Sequence, residues 1–281
     1  MLVSMNELLK DARRERYAVG FFNAVDIEQA RAVIGAAEEL RSPVIIGTAE
    51  ILLPVTPLER VAEYLIPMAA KAKVPVCVHF DHGLSFERCI QAVRLGFTSV
   101  MYDCSMDDYN SNIEKLSGMV SICHSAGVTV EGELGHVGDN EGSGKLKDPS
   151  DYFTDPVTAE DFVKRTGIDA LAVAVGNAHG EYKLPPKLDF ERISDISGRT
   201  GIPLVLHGGS GLSDDDFHEA IRRGVCKVNI FTDIDRAGKD GIEKGIAAGA
   251  GSLSTLIPYM VDAMREVVRN KIELFGSANR A

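Results

Sequence analysis

The amino-acid sequence predicts an α/β fold, a (β/α)8 TIM barrel with extra C-terminal helices. Short apolar runs alternate with longer helical patterns, and eight such units fit within 281 residues. Polar residues capable of chemistry follow the apolar runs, at the strand ends where such a barrel places its active site. We expect one domain, residues 1–281, because the sequence contains no linker, repeat or low-complexity tract.

The apolar runs are the predicted strands, at residues 18–22, 44–47, 76–80, 99–102, 128–131, 171–175, 204–206 and 227–230. A doubly wound open sheet is the alternative arrangement of such units. It receives no support, because no Gly-x-Gly-x-x-Gly follows the first run.

Helix-capping residues stand between the runs. The N-terminal signals are Asp26 before Ile27, Thr158 with Asp161, and Ser213 with Asp216. Helices are expected to end at Gly167 and Gly224. Two more helices are predicted after the eighth strand, at residues 234–248 and 253–275.

Composition limits the classes of partner. The net charge of −11 argues against nucleic acid, which requires a basic surface. The five cysteines are scattered and contain no Cys-x-x-Cys pair, which fits reduced thiols in the core. Neither an apolar targeting segment nor a run of membrane-spanning length is present. We therefore expect a cytoplasmic protein without a membrane partner.

Three histidines follow three predicted strands, and each adjoins a glycine: His82, His179 and His207. A catalytic zinc ion takes three protein ligands and keeps a position open for substrate, so the pattern predicts a metal site. Asp81 could orient its neighbour His82 or act as a general acid or base. Asp103 and Glu133, at two further strand ends, could be alternative metal ligands or hydrogen-bond partners of the histidines.

Glycines and hydroxyls also follow the last two predicted strands, as Gly208-Gly209-Ser210-Gly211 and Asn229-Ile230-Phe231-Thr232. Glycines let backbone N–H groups turn toward an anion, and TIM barrels often bind phosphate at this place. Asn23, at the end of the first strand, is a further candidate for substrate contact. The segment 134–152 is Gly- and Asp-rich, and a loop of this length inside a compact domain is usually functional.

Taken together, these motifs resemble the class II (zinc-dependent) ketose-bisphosphate aldolases, which include the fructose- and tagatose-bisphosphate enzymes. The resemblance runs from Val3 to Ser277. The motifs that carry it are Asp81-His82-Gly83, Glu131-Gly132-Glu133-Leu134-Gly135, Gly176-Asn177-Ala178-His179-Gly180, Leu206-His207-Gly208-Gly209-Ser210-Gly211 and Asn229-Ile230-Phe231-Thr232.

The resemblance implies a carbon–carbon lyase of carbohydrate metabolism that splits a ketose 1-phosphate or 1,6-bisphosphate reversibly into dihydroxyacetone phosphate and an aldehyde. It implies Zn²⁺ on His82, His179 and His207, with Asp103 and Glu133 at an alternative metal position; a second metal or a monovalent cation stays open. Asp81 would carry the proton of the C4 hydroxyl, and Glu141 the proton at C3. Dihydroxyacetone phosphate would be held by Gly180, Gly208, Gly209, Ser210, Asn229, Ile230, Phe231 and Thr232. The family also implies a homodimer or homotetramer.

Two departures from the family concern the second phosphate of the substrate. Ala49 stands where bisphosphate members carry a serine or threonine, and Ser254 stands where they carry the arginine of an Asp-Pro-Arg. In addition, Gly138-Asp139-Asn140-Glu141-Gly142 replaces the usual Gly-Gly-x-Glu-Asp. These departures leave the aldehyde partner open: the expected substrate is a ketose 1-phosphate or a fructose-1,6-bisphosphate-like sugar, and tagatose bisphosphate or a sugar without a distal phosphate is the alternative.

Three alternatives to a zinc-dependent aldolase differ in the residues that they require. A Schiff-base aldolase requires a lysine at a strand end, whereas Lys227 opens the eighth predicted strand. A metal-dependent barrel hydrolase could use the same histidines to activate water, but it leaves the phosphate glycines unexplained. A non-catalytic sugar-phosphate binder would not need Asp81 and Glu141 as proton carriers.

Overall fold

A computed structural model describes residues 1–135, 137–139, 153–179 and 187–281, with the backbone alone at 138, 139 and 179. Eight parallel strands close into a barrel, which confirms the predicted fold. Their bounds are β1 Val19–Asn23, β2 Val44–Ala49, β3 Val76–Gly83, β4 Ser99–Tyr102, β5 Thr129–Leu134, β7 Ala170–Val173, β9 Leu204–Leu206 and β10 Val225–Ile230. Around the barrel they follow the order β1, β10, β9, β7, β5, β4, β3, β2.

Two further strands were not predicted, because each is only two residues long. They are β6 Gly138–Asp139 and β8 Ala178–His179, which pair in parallel. They follow β5 and β7 in the chain, so this small sheet belongs to the segments that leave the C-terminal ends of the barrel strands.

Helices surround the barrel, and their amphipathic faces pack on the strands. The described helices are α1 Met5–Glu15, α2 Ile27–Glu39, α3 Leu58–Lys71, α4 Phe86–Arg94, α5 Tyr109–Ser125, α6 Pro156–Thr166, α7 Phe190–Thr200, α8 Asp214–Arg223, α9 Thr232–Ala247 and α10 Leu253–Leu274. The last two confirm the extra C-terminal helices. No helix of the described residues is both long and apolar enough to cross a membrane.

The capping predictions are confirmed at two helices and wrong at one. Asp26 caps α2, and Ser213 forms a capping box with Asp216 in α8. Helix α6 instead begins at Pro156, three residues earlier than predicted, with Asp155 as its cap. The reason is that proline fits the first helical turn, where its missing N–H costs nothing.

Helix α1 closes the N-terminal end of the barrel and was also missed by the sequence analysis. Its signal was the capping box of Ser4 with Glu7. Its apolar face is buried against residues that fill the lower barrel, a cluster made of Met5, Leu8, Leu9, Phe21, Ile45, Cys77, Met101, Ala172, Val205 and others. Because this end is sealed by apolar packing, the polar interior lies at the opposite, C-terminal end.

Candidate active site

The predicted strand-end pair Asp81 and His82 lies inside β3, which continues three residues beyond the prediction. Neighbouring strand residues normally point to opposite faces. His82 has φ of 43°, in the left-handed region that non-glycine residues rarely adopt. The backbone therefore turns at His82, and ligand atoms of Asp81, His82 and His207 all lie within 4.8 Å of one another.

The imidazoles of His82 and His207 point toward each other. His82 Nε2 lies 2.8 Å from His207 Nδ1, and each ring has a carboxylate at its other nitrogen. His82 Nδ1 is 2.8 Å from Asp103 Oδ2, and His207 Nε2 is 2.8 Å from Glu131 Oε1.

These carboxylates fix the protonation pattern of the pair. An ionised carboxylate only accepts hydrogen bonds, so His82 donates from Nδ1 and His207 donates from Nε2. The nitrogens that face each other therefore carry lone pairs when both rings are neutral. Two lone pairs at hydrogen-bond distance repel unless a positively charged species, either a proton or a metal ion, lies at this place. The donor set thus fits a cation.

The surroundings of the pair are strongly negative. Burial lowers the pKa of His82, but the charge of Asp81 and the hydrogen bond to Asp103 outweigh it and raise the pKa to about 10. His207 is fully buried, and this burial together with the charge of His82 lowers its pKa. The electrostatic field that holds a proton on His82 also favours a metal cation at the same nitrogen.

Asp81 is held between two asparagine amides. Asn23 Nδ2 donates to Asp81 Oδ2 at 3.3 Å, and Asn229 Nδ2 donates to Asp81 Oδ1 at 3.3 Å. Burial raises the pKa of this carboxyl, but the charge of His82 and the adjacent His79 keep it well below its ordinary range. Asp81 is therefore an oriented, ionised carboxylate beside the histidine pair.

The structure adds Glu131, Lys227 and His79, which the sequence analysis did not assign to the site. Lys227 Nζ donates to Glu131 Oε2 at 2.8 Å, and both side chains are fully buried. His79 Nε2 lies 3.7 Å from both Asp81 Oδ1 and Glu131 Oε2. A signal was present in the sequence, because a charge inside an apolar strand requires a buried partner of opposite sign.

Glu133 lies within β5 and is buried beside His82 and Asp103. Its Oε1 accepts from the Val137 N–H at 3.2 Å, whereas its Oε2 has no hydrogen-bond partner among the described residues. Burial and the charge of Asp103 raise the pKa of Glu133 to about 8. A ligand atom of Glu133 lies within 4.8 Å of ligand atoms of His82 and Asp103, so these three could hold a metal as well.

The predicted phosphate loops lie beside the histidines. Gly208 has φ of 63°. A Cβ on Gly209 would lie 2.8 Å from Val228 Cγ1, so only glycine fits without displacing its neighbours. Helix α9 begins at Thr232 without a side-chain cap, which leaves first-turn N–H groups available for an anion. The Ile230 side chain is buried in the core, so only its backbone could contact a ligand.

Some predicted site residues lie outside the described part of the chain. These are Glu141, Gly180, most of the segment 134–152 and the side chain of His179. The backbone near His179 is described, however. Asn177 Nδ2 donates to the carbonyl oxygen of His207 at 3.1 Å, so the segment that leads to His179 adjoins the strand end that carries His207.

Comparisons with known proteins show the family of this chain. A model of the family described as "Fructose-bisphosphate aldolase class-II" matches residues 3–280. The fructose-bisphosphate aldolase of Geobacillus stearothermophilus is 40% identical, covering 100% of this chain and 99% of that protein.

Two solved structures extend the comparison. The YdjI aldolase from Escherichia coli K12 is 37% identical, with a TM-score of 0.91 and 100% coverage of both chains. A putative fructose-1,6-bisphosphate aldolase from Coccidioides immitis is 28% identical, with a TM-score of 0.88 and coverage of 98% of this chain and 97% of that one.

Proposed function

This chain belongs to the class II fructose-bisphosphate aldolase family, and we propose that it cleaves a ketose 1-phosphate into dihydroxyacetone phosphate and an aldehyde with one catalytic Zn²⁺. The observation that carries the proposal is the pair of facing imidazole nitrogens, 2.8 Å apart, each backed by a carboxylate. His82, His207 and, from the family resemblance, His179 would hold the metal. When bound, Zn²⁺ supplies Lewis acidity that draws electrons from a carbonyl oxygen.

The residues of the chain then perform the proton transfers. Asp81 is ionised and fixed by Asn23 and Asn229, so it can accept the proton of the C4 hydroxyl as the C3–C4 bond breaks. The electron pair of that bond remains on C3, which must receive a proton. From the family resemblance, we assign this proton to Glu141. In the synthetic direction Asp81 returns its proton to the new C4 oxygen.

The phosphate at C1 would bind at Gly208, Gly209, Ser210 and the N-terminus of α9. This end of the site offers the uncapped first turn of a helix, and helix N-termini favour anions. Asp233, in the same turn, is paired with Lys271 at 2.9 Å, which reduces its repulsion of a phosphate.

We propose further that the aldehyde product carries no phosphate. Ala49 is paired in register with Asp81, so it lies at the edge of the site, and its methyl group cannot donate a hydrogen bond. Ser254 lies in the first turn of α10, and its Oγ lies 3.1 Å from that of Ser252. Neither residue supplies the charge-assisted contacts by which proteins usually recognise phosphate.

The experiment is a coupled assay for dihydroxyacetone phosphate with fructose 1-phosphate and fructose 1,6-bisphosphate as substrates. We expect product from ketose 1-phosphates and no advantage for the second phosphate. If no ketose 1-phosphate or bisphosphate is cleaved, the proposed activity is wrong. A clearly higher kcat/KM for the bisphosphate would contradict only the reading of Ala49 and Ser254.

We also propose that the protein acts in the cytoplasm as a homodimer or homotetramer. Support for a reducing compartment comes from the five cysteines, all of which are buried and free. Sedimentation of the purified protein tests the subunit number.

A further inference from the structure

A second cavity lies at the N-terminal end of the barrel, opposite the candidate active site. Its volume is about 650 Å³, within the range of small-molecule sites. Its walls come from the C-terminal parts of α1, α7 and α8 and from the first residues of β10. Nothing in the proposed aldol reaction uses this cavity.

Basic side chains dominate its lining. They are Lys10, Arg13, Arg14, Arg16, Arg222 and Arg223, whereas the single acidic residue of the lining is Asp169. The chain as a whole has a net charge of −11, so this concentration of positive charge runs against the composition. The cavity is therefore a local basic site on an acidic protein.

Half of these cations form no direct ion pair with the part of the protein that the structure describes. Arg14 pairs with Asp11 and Glu15, and both Arg222 and Arg223 pair with Glu219. Among the residues that the structure describes, Lys10, Arg13 and Arg16 form no direct ion pair, and Lys10 interacts with Glu7 at longer range. Unpaired guanidinium groups offer planar hydrogen-bond donors that suit phosphate oxygens.

Arg16 adds a conformational observation. It caps α1 in the left-handed region with φ of 57°, where glycine or asparagine is the usual residue. The helix macrodipole favours the cations of the last turn, Arg13 and Arg14, whereas Lys10 lies before that turn. Helix stability therefore does not account for Lys10.

The remaining lining suits an organic molecule with polar groups. Ile168, Ile202, Pro203, Ile221 and Val225 supply apolar surface, and Asn6 and Ser197 supply hydrogen-bonding groups. A smaller cleft of about 290 Å³ shares Arg16, Ile221 and Arg222 with the cavity and extends it past His218. The smaller cleft also contains Glu273, so the positive charge is concentrated in the larger cavity.

We propose that this basic cavity binds a small phosphorylated molecule with two or more phosphate groups, which Lys10, Arg13 and Arg16 contact. Multiple phosphates match three cations that form no direct ion pair with the described residues, and the apolar side chains of the lining would accept the organic part. The site is separate from the catalytic one, so it does not depend on the aldolase activity.

The test is isothermal titration calorimetry of the full, metal-loaded protein with two probes, ATP and inorganic tripolyphosphate, in excess magnesium to limit metal stripping. The double variant Arg13→Met/Arg16→Gly removes two cations, and the glycine suits the left-handed turn. We expect its affinity for at least one probe to fall about tenfold or more, since each lost contact is charge-assisted. Preference for ATP would indicate an organic ligand, and equal binding an inorganic one; both results support the phosphate site.

Arg94→Met is the matched control. Arg94 also lies in the last turn of a helix, has no acidic partner among the described residues, and is outside the cavity. It should bind both probes as the wild type does. The proposal is overturned if the double variant and the control bind equally well, or if the wild type binds neither probe. A changed sedimentation coefficient of the double variant would assign the basic cavity to a subunit contact and would also overturn the proposal.

Discussion

Lys227 Nζ lies 2.8 Å from Glu131 Oε2 in the barrel interior, and neither side chain is exposed to solvent. The other oxygen of Glu131 accepts from His207 Nε2 at 2.8 Å. Burial raises the pKa of Glu131, but the charge of Lys227 and the hydrogen bond from His207 outweigh it and lower the pKa to about 2. The lysine therefore keeps Glu131 ionised, and Glu131 in turn fixes which nitrogen of His207 faces His82.

Replacing this lysine should destabilise the protein strongly. Lys227→Met removes the cationic partner of the buried Glu131 charge, which costs about 3–5 kcal/mol. Urea unfolding measures the loss. Lys239→Met is the control, because Lys239 pairs with Glu243 at the surface and such pairs contribute about 1 kcal/mol at most. Equal free energies of unfolding for the two variants would show that the buried pair has no special role.

Asp81→Asn should lower kcat without lowering the metal content of the protein. The amide keeps the shape of the carboxylate but cannot take the C4 hydroxyl proton, so we expect kcat to fall about 10²- to 10⁴-fold. Metal content and thermal unfolding should stay close to those of the wild type. A variant with nearly normal kcat would assign the proton transfer to another residue.

Glu133 should make the metal-free protein less stable as the pH rises. Its pKa is raised from 4.5 to about 8 by burial and the charge of Asp103, so between these values the unfolded chain binds fewer protons at this site than the folded protein. Its contribution to stability is therefore complete below about pH 4.5 and is lost as the pH approaches about 8.

The neutral variant Glu133→Gln removes this dependence. We expect it to gain stability relative to the wild type between about pH 5 and pH 8, on the order of 2 kcal/mol, as measured by urea unfolding after chelation. A difference between the two proteins that does not change with pH would contradict the raised pKa.

Gly209→Ala should weaken substrate binding without removing the metal. The added Cβ would lie 2.8 Å from Val228 Cγ1 and 3.1 Å from Asn229 O, so the loop must shift. We expect an increase in KM of about tenfold for ketose phosphates, comparable to one lost charge-assisted hydrogen bond. Gly198→Ala, where a Cβ meets no atom within 4 Å, should keep the wild-type KM. An unchanged KM in the Gly209 variant would remove this loop from the phosphate site.

The strand ends were predictable because the apolar runs have a clear period, and closing eight of them into a barrel brings their C-terminal ends together. This logic predicts Asp81, His82 and His207 at the C-terminal end of the barrel, where the structure places them. It did not reveal the roles of Glu131 and Lys227, because their pairing depends on where two strands, 96 residues apart in sequence, place their side chains. Only the charge inside an apolar strand hinted at a buried partner.

Local signals failed where several of them compete. At α6 the predicted capping box of Thr158 and Asp161 does not form the N-terminus, because the helix begins earlier, at Pro156, with Asp155 as its N-cap. The left-handed backbone of His82 has no sequence signal at all, although it turns His82 toward the same site as Asp81. Such a conformation is imposed by the packed barrel around it.

The most direct test of a metal centre at the histidine pair is the zinc content of the protein, measured by mass spectrometry after dialysis. We expect about one equivalent per chain in the wild type, a large loss in His82→Ala and in His207→Ala, and wild-type content in His124→Ala, a histidine paired with Asp169 elsewhere. Aldol cleavage should cease on chelation and return with added Zn²⁺. Full zinc content in the His82 and His207 variants, or cleavage that survives complete chelation, would contradict the account.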